Sequence, residues 1–386
     1  MNETKTMISN KDIRSILFDN LSNLTLNLCD YLSPFLNDLL KVIISYQTNH
    51  SEIKNILTKI AQKNLFDSNF KAIKSNVDNM NELLIHFLNV SIQSCDKLII
   101  ADVYMDIAKF FMKILNSHQR MHKEIDECVK SFVLKINEKQ LKKIFEVMLL
   151  FLKEKNDLKE YKVSNCIIVF EIFNTILNVI RDIFIGNYYP KYKNIQVDLI
   201  KLSNAFLFKK DSVASLKTKR ERPVDEEEFS YSKLSALLLS NIKNNFKYSK
   251  GENLPDSIDD LFEPIIEQFK LTEERTLLQK HYDNNIKDCI CEMFINIKDD
   301  DMFKSLNDDI LNLIREENYV TRLMALKMIL YLFENVKERY LTLVGDVVPY
   351  VADTLEDSNE LVQKEAVETI QYIEKITGEK YSNYLE

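Results

Sequence analysis

Apolar residues recur three and four positions apart through nearly every stretch of this chain, and one such stripe runs Ile13, Ile16, Leu17, Leu21, Leu24, Leu28. That spacing predicts helices that each bury one face. Convincing period-2 alternation, the mark of a half-buried strand, is absent from the 386 residues. The punctuation between stripes agrees. Ser33 followed by Pro34 reads as an N-cap with proline in the first turn, opening a helix to about Ser45. Asn137 with Gln140 reads as a capping box for a helix over Glu138 to Lys153, and Gly186 stands where a left-handed C-terminal cap belongs after Ile167 to Ile185. About nine helices are expected before Phe208, antiparallel to their neighbours because the connections are short.

Composition narrows the class. With 4 Gly and 6 Pro there are too few turn formers for sheets or barrels. Helix is expected for roughly 70% of residues, about twice the globular base rate. A hydrophobic fraction of 46% supplies a core for two or three packed units or one continuous array. The net charge of -8 argues against sequence-independent nucleic-acid binding by the whole surface. Met1 to Lys11 is polar and carries no apolar signal region, which points to an intracellular protein. The least charged run, Val163 to Ile180, includes Glu171, Asn165, Asn174 and Asn178, so it reads as a buried helix and not a membrane span. Six scattered cysteines (Cys29, Cys95, Cys128, Cys166, Cys289, Cys291) lie in apolar stripes, as buried thiols of a reducing compartment do.

Periodicity pauses over 209–231, where Lys217, Lys219, Arg220 and Arg222 meet Pro223 and then Asp225 to Glu228. Like-charged blocks bury no surface, so this stretch is expected to be a linker between a helical region 1–208 and further hairpins at 232–300. A softer break, Ser249 to Ser257, precedes helices resuming at Ile258. For the four basic residues the favoured reading is a solvated loop. Nuclear import or partner docking and RNA phosphate contact stay open beside it.

Near the end the chain repeats itself. Thr321-Arg322-Leu323-Met324-Ala325 and Val362-Gln363-Lys364-Glu365-Ala366 each place alanine four residues after a β-branched residue, each behind a polar turn. Ala325 and Ala366 are 41 residues apart, within the period of about 40 to 47 residues of HEAT and armadillo units. In such arrays the second helix of each hairpin packs closely on its neighbour, and a small residue belongs at the crossing. The fold class that follows is an all-α solenoid of antiparallel helical hairpins, a HEAT/armadillo-like superhelix with two HEAT repeats at 301–386. Within it Arg322 is expected to pair with the adjacent repeat, Pro349 to kink its helix and Gly378 to end the last one.

Catalytic signatures are missing. No two glycines are close enough to cradle a phosphate. His118 and His122 have the spacing of a metal pair but lack the accompanying Glu, and they read as exposed loop histidines. Cys289 and Cys291 point to opposite sides of a helix, and Asp299 to Asp301 sit in a polar run that reads as a solvated turn. No nucleophile elbow surrounds Ser91, Ser131 or Ser240. An enzyme with catalytic, cofactor or metal residues is therefore not expected.

The run Tyr319 to Leu326, the segment Val348-Pro349-Tyr350-Val351-Ala352-Asp353-Thr354-Leu355-Glu356-Asp357 and the ending Gly378 to Leu385 resemble the C-terminus of the U3 small nucleolar RNA-associated HEAT-repeat protein family. Leu32 to Leu40 and Ile125 to Phe151 resemble that family's preceding domain, so nearly the whole chain is covered. Family members are far longer, with many more N-terminal repeats. The resemblance implies a non-catalytic nucleolar scaffold of the small-subunit processome, in a UtpA-type complex. It further implies a role in pre-ribosomal RNA transcription and processing, with processome proteins, pre-ribosomal RNA and U3 RNA as partners. No cofactor, small-molecule substrate or membrane enters that reading. An unrelated HEAT scaffold, such as a transport receptor, phosphatase subunit or coat adaptor, is the alternative.

Overall fold

The structure, a computed structural model, describes residues 16, 20, 23, 33–45, 50–63, 66–117, 122–152, 161–179, 189–207, 224–249 and 258–381. Among them every regular element is helical. The chain divides into two compact units, Met1–Glu160 and Tyr161–Glu386.

In the first unit the helices are α1 (Leu36–Ser45), α2 (His50–Gln62), α3 (Phe66–Ser75), α4 (Glu82–Ser94), α5 (Lys97–Ser117), α6 (His122–Val133) and α7 (Glu138–Phe151). Alternate helices form a row in which α2 packs on α4 and α4 on α6, while α1 packs on α3 and α5 on α7. This is hairpin stacking, with each unit's apolar stripe covered by the next. Capping sets the starts. Asn81 accepts from the Leu84 amide at 3.0 Å. Asn137 and Gln140 form the reciprocal capping box, with bonds of 3.0 and 2.9 Å. Ser33–Phe35 is a 3-10 turn leading into α1.

The second unit contains α8 (Val163–Val179), α9 (Tyr189–Asn204), α10 (Val224–Ser249), α11 (Ile258–Ile266), α12 (Arg275–His281), α13 (Lys287–Asn296), α14 (Asp300–Leu313), α15 (Tyr319–Val336), the short α16 (Glu338–Leu341), α17 (Val344–Asp353) and α18 (Glu360–Thr377). A π-helical turn, Tyr282–Ile286, joins α12 to α13. One row stacks α8, α10, α13, α15 and α18 in succession; α9, α11, α14 and α17 form the other layer. Helices flanked on both sides lose their polar face. In α15, between α13 and α18, ten residues are buried, from Val320 to Phe333, which is why its pattern is apolar nearly all round. In α18 the outward positions Glu360, Lys364, Glu368, Gln371 and Lys375 are exposed and polar.

The expected linker at 209–231 needs correction. Helix α10 begins at Val224 and packs on α9, so 224–231 is helix and not linker, while 209–223 lie outside the described residues. Acidic residues suit a first helical turn, where they oppose the positive end of the helix dipole, and Asp225 to Glu228 sit there. Tyr231 is already buried. The break between compact units falls instead ahead of α8. Gly186 and the Ser249 to Ser257 break, apart from Ser249 in α10, lie outside the described residues.

Candidate functional site: a clamp and a polar ladder on the stacked helices

The repeat motif places Arg322 in the first turns of α15, after the turn capped by Asn318, whose side chain accepts from Val320 N at 2.9 Å. Its guanidinium reaches the next hairpin and grips Asp357 with two bonds, Nε to Oδ2 at 2.6 Å and Nη2 to Oδ1 at 2.8 Å. Its remaining donor, Nη1, serves the Glu316 and Glu317 carbonyls at 2.8 and 2.7 Å, closing the end of α14. Both side chains are largely buried, 12% and 7% exposed, so the pair is shielded from water and salt. Burial alone would raise the Asp357 carboxyl. The Arg322 bond, the Asn359 amide and the Arg322 charge outweigh it and hold Asp357 below the ordinary carboxylate range. Asp357 also accepts from Asn359 N at 2.8 Å while Gln363 donates to its carbonyl at 2.6 Å, so one turn carries the whole junction.

The other repeat positions surround this clamp. Ala325 and Ala366 are fully buried, one in α15 and one in α18, helices that pack on each other. Gly378 is the left-handed C-cap of α18, with φ 71°, and its amide donates to the Glu374 carbonyl. Pro349 lies inside α17, exposed, in a helix that runs on to Asp353. Lys217, Lys219, Arg220 and Arg222 lie outside the described residues, as does His118; only the backbone of His122 is described.

Along the stacked row, polar side chains bridge one helix to the next. Lys233 on α10 pairs with Glu171 on α8 at 2.7 Å, and Asn241 donates to Asn174 at 2.8 Å. Lys243 pairs with Asp288 on α13 at 3.0 Å, and Tyr331 on α15 donates to the same carboxylate at 2.9 Å. Lys327 donates to Gln279 on α12 at 2.7 Å. These links join neighbours within the array, and partly buried amides and ion pairs fix register more than they add stability.

Reactive chemistry is not favoured by the surroundings. Burial raises the thiols of Cys95, Cys128, Cys289, Cys166 and Cys291, the last two to about 12, which disfavours the nucleophilic thiolate. Cys289 and Cys291 are both buried. Asp299 caps α14, accepting from Met302 N at 2.8 Å, and Asp300 pairs with Arg339 at 3.1 Å. Among the described residues no three His, Cys, Asp or Glu side chains are grouped to hold a metal ion. No helix among them is long and apolar enough to cross a membrane.

Two features escaped sequence reasoning. Asp357 sat inside a quoted motif, yet nothing in one sequence joins it to Arg322, 35 positions away. The second is a buried set of amides around His281, whose members are spread over α9, α10 and the α11–α13 region. A lone histidine three residues after Leu278, in an otherwise polar stretch, is its only signal.

Stacked hairpins, a small-residue crossing and an Arg–Asp clamp between successive turns define a HEAT-type α-solenoid, a class built to present long surfaces to other macromolecules. The solved structure of Kap121p bound to Pho4p shares this fold, with a TM-score of 0.53 and 12% identity over 95% of this chain and 38% of that one. No family model matches the sequence. Relatives do. U3 small nucleolar RNA-associated protein 10 of Scheffersomyces stipitis is 22% identical over 277 residues, 70% of the chain. The HEAT repeat-containing protein 1 homolog of Drosophila melanogaster is 21% identical over 344 residues, 88% of the chain. HEAT repeat-containing protein 1 of Homo sapiens is 31% identical over 127 residues, 32% of the chain. Proteins carrying these two names thus match 70% and 88% of the chain, at 22% and 21% identity. The chain spans 14%, 14% and 6% of the length of these relatives.

Proposed function

We propose that the chain is a non-catalytic HEAT-repeat scaffold of the small-subunit processome, acting in the nucleolus in pre-ribosomal RNA transcription and processing and so in 40S subunit biogenesis. The observation that carries this reading is the relationship to proteins named as U3 small nucleolar RNA-associated, over 70% of the chain. The architecture supports it physically. A stacked array offers extended faces for protein subunits, and the titratable groups of the clamp and ladder are engaged with one another. Partners under this reading are processome proteins, with pre-ribosomal and U3 RNA in the same particle. Lys217, Lys219, Arg220 and Arg222 are the segment on which a direct phosphate contact would rest.

Affinity purification of the tagged chain from its own cells, with sequencing of the recovered RNA, tests this. Enrichment of U3 RNA and unprocessed ribosomal precursor is the expected result, and their absence overturns the assignment. Likeness to Kap121p is one of fold alone and adds no transport reading.

A further inference from the structure

A buried histidine outside the clamp lies where the α9–α10 hairpin meets the α11–α13 hairpin. The hydrogen bonds leading to it run in one direction. Asn204 donates through Nδ2 to the Pro264 carbonyl at 2.7 Å, and this bond turns its Oδ1 toward Gln268. Gln268 donates through Nε2 to Asn204 Oδ1 at 2.9 Å and to Ser235 Oγ at 3.1 Å, which leaves its Oε1 facing His281 Nε2 at 2.8 Å. An amide oxygen only accepts, so His281 must carry its proton on Nε2. Its Nδ1 then accepts from Asn285 Nδ2 at 3.0 Å. One backbone carbonyl thus dictates the tautomer of an imidazole through two amides, and the last member, Asn285, lies in the π-helical turn Tyr282–Ile286.

We propose that this chain of amides and imidazole is an acid-sensitive latch within α11–α13, anchored on the α9–α10 hairpin, which fixes His281 as the neutral Nε2–H ring and loses its Asn285 bond when His281 takes a second proton. A proton on Nδ1 would face the amide hydrogens of Asn285, and the chain would break at its π-turn end. Asn285 would then have to reverse its amide, in a turn whose hydrogen bonds are already irregular. Gln268 is fully buried and His281 is 6% exposed, so the charged ring would be poorly solvated once the Asn285 bond is lost. Burial pushes the His281 imidazole down to about 4, consistent with a site built for the neutral ring.

Charged groups on the packed elements have their own partners. Lys201 pairs with Glu263, Lys233 with Glu171, and Lys270 with Glu267 and Glu316. Lys327 is held by Gln279, and Asp283, on the π-turn itself, by Lys287. Lys280 is exposed, and the neighbouring Tyr282 phenol, raised by burial and by Asp283 and Glu365, stays neutral throughout the acid range.

A histidine depressed in the folded state leaves the unfolded chain binding more protons between about 4 and the unfolded value near 6.5. The latch's stabilisation is therefore complete above that value and is lost as pH falls through the window. The test is thermal unfolding of the full chain from pH 7.5 to 4.5, beside the imidazole titration followed by NMR with labelled histidine. Wild type is expected to show a His281 ring that stays neutral in the Nε2–H form to about pH 5. Its unfolding should take up as much as one more proton than that of His281→Gln. In Asn285→Asp the new carboxylate accepts from a protonated Nδ1, and the His281 titration should move above that of wild type. A His281 that titrates near 6.5, an Nδ1–H tautomer, or an Asn285→Asp titration unmoved from wild type overturns the proposal. The ring titration of wild type decides the matter even where a variant fails to fold.

Discussion

The last two hairpins, α14–α15 and α17–α18, and the hairpin just before them, α11–α13, solve the same packing problem differently. In the terminal pair an ordered turn capped by Asn318 or Asn359 starts a single unbroken second helix, and one buried ion pair, Arg322–Asp357, ties turn to turn. In α11–α13 the first helix contains Pro264 and ends in a 3-10 turn, and the second is interrupted by the π-turn. There the buried tie is a neutral hydrogen-bond chain through Gln268, and the ion pair across the same junction, Lys243–Asp288, is only half-buried. A regular repeat lets one charged clamp recur at a fixed spacing. An irregular one must be joined by side chains placed case by case, and those leave no period to read.

The comparison breaks most visibly at the clamp. Arg322→Ala strips a buried carboxylate of its partner and two carbonyls of their donor, and it is expected to cost about 3–5 kcal/mol in chemical unfolding. Ala325→Leu or Ala366→Leu overfills a crossing that is fully buried, for roughly 1–3 kcal/mol by the same measurement, and an unchanged midpoint for both would show the repeats mis-phased. Tyr340→Phe sharpens the picture where α16 packs against α13, α14 and α15. The hydroxyl donates to Asn307 at 2.6 Å inside a cluster with Phe294, Phe303 and Phe333, so its loss should cost about 1–2 kcal/mol with the fold kept. Acid should act on the clamp late. Because Asp357 is held below its ordinary value, its contribution is present above the unfolded carboxylate range and disappears only as pH falls through the lower folded value. The acid limb of the unfolding curve reports this, and Asp357→Asn should flatten it. The smallest effect is at Lys337, whose φ of 59° closes α15. Lys337→Gly is expected to raise stability by about 0.5–1 kcal/mol in the same assay.

How much of this was legible follows from the same contrast. Helix class, the capping box at Asn137 and Gln140 and the repeat at Ala325 and Ala366 are local or periodic, so sequence spacing carries them. The charged stretch around Pro223 misled because a like-charge run marks a helix start as readily as a linker, and its acidic half lies in the start of α10. Asp357 and the Gln268 hub were hidden for a different reason. Their meaning lies in partners 13 to 64 residues away, and polar residues at such separations have no pattern until the hairpins are stacked.

The claim on which the account turns is that Arg322 and Asp357 join two successive hairpins into one HEAT pair. A double-mutant cycle of Arg322→Ala and Asp357→Ala, read by chemical unfolding of the full chain, addresses it directly. A coupling of about 2 kcal/mol or more is the predicted result, and losses that simply add, to within about 0.5 kcal/mol, would contradict it.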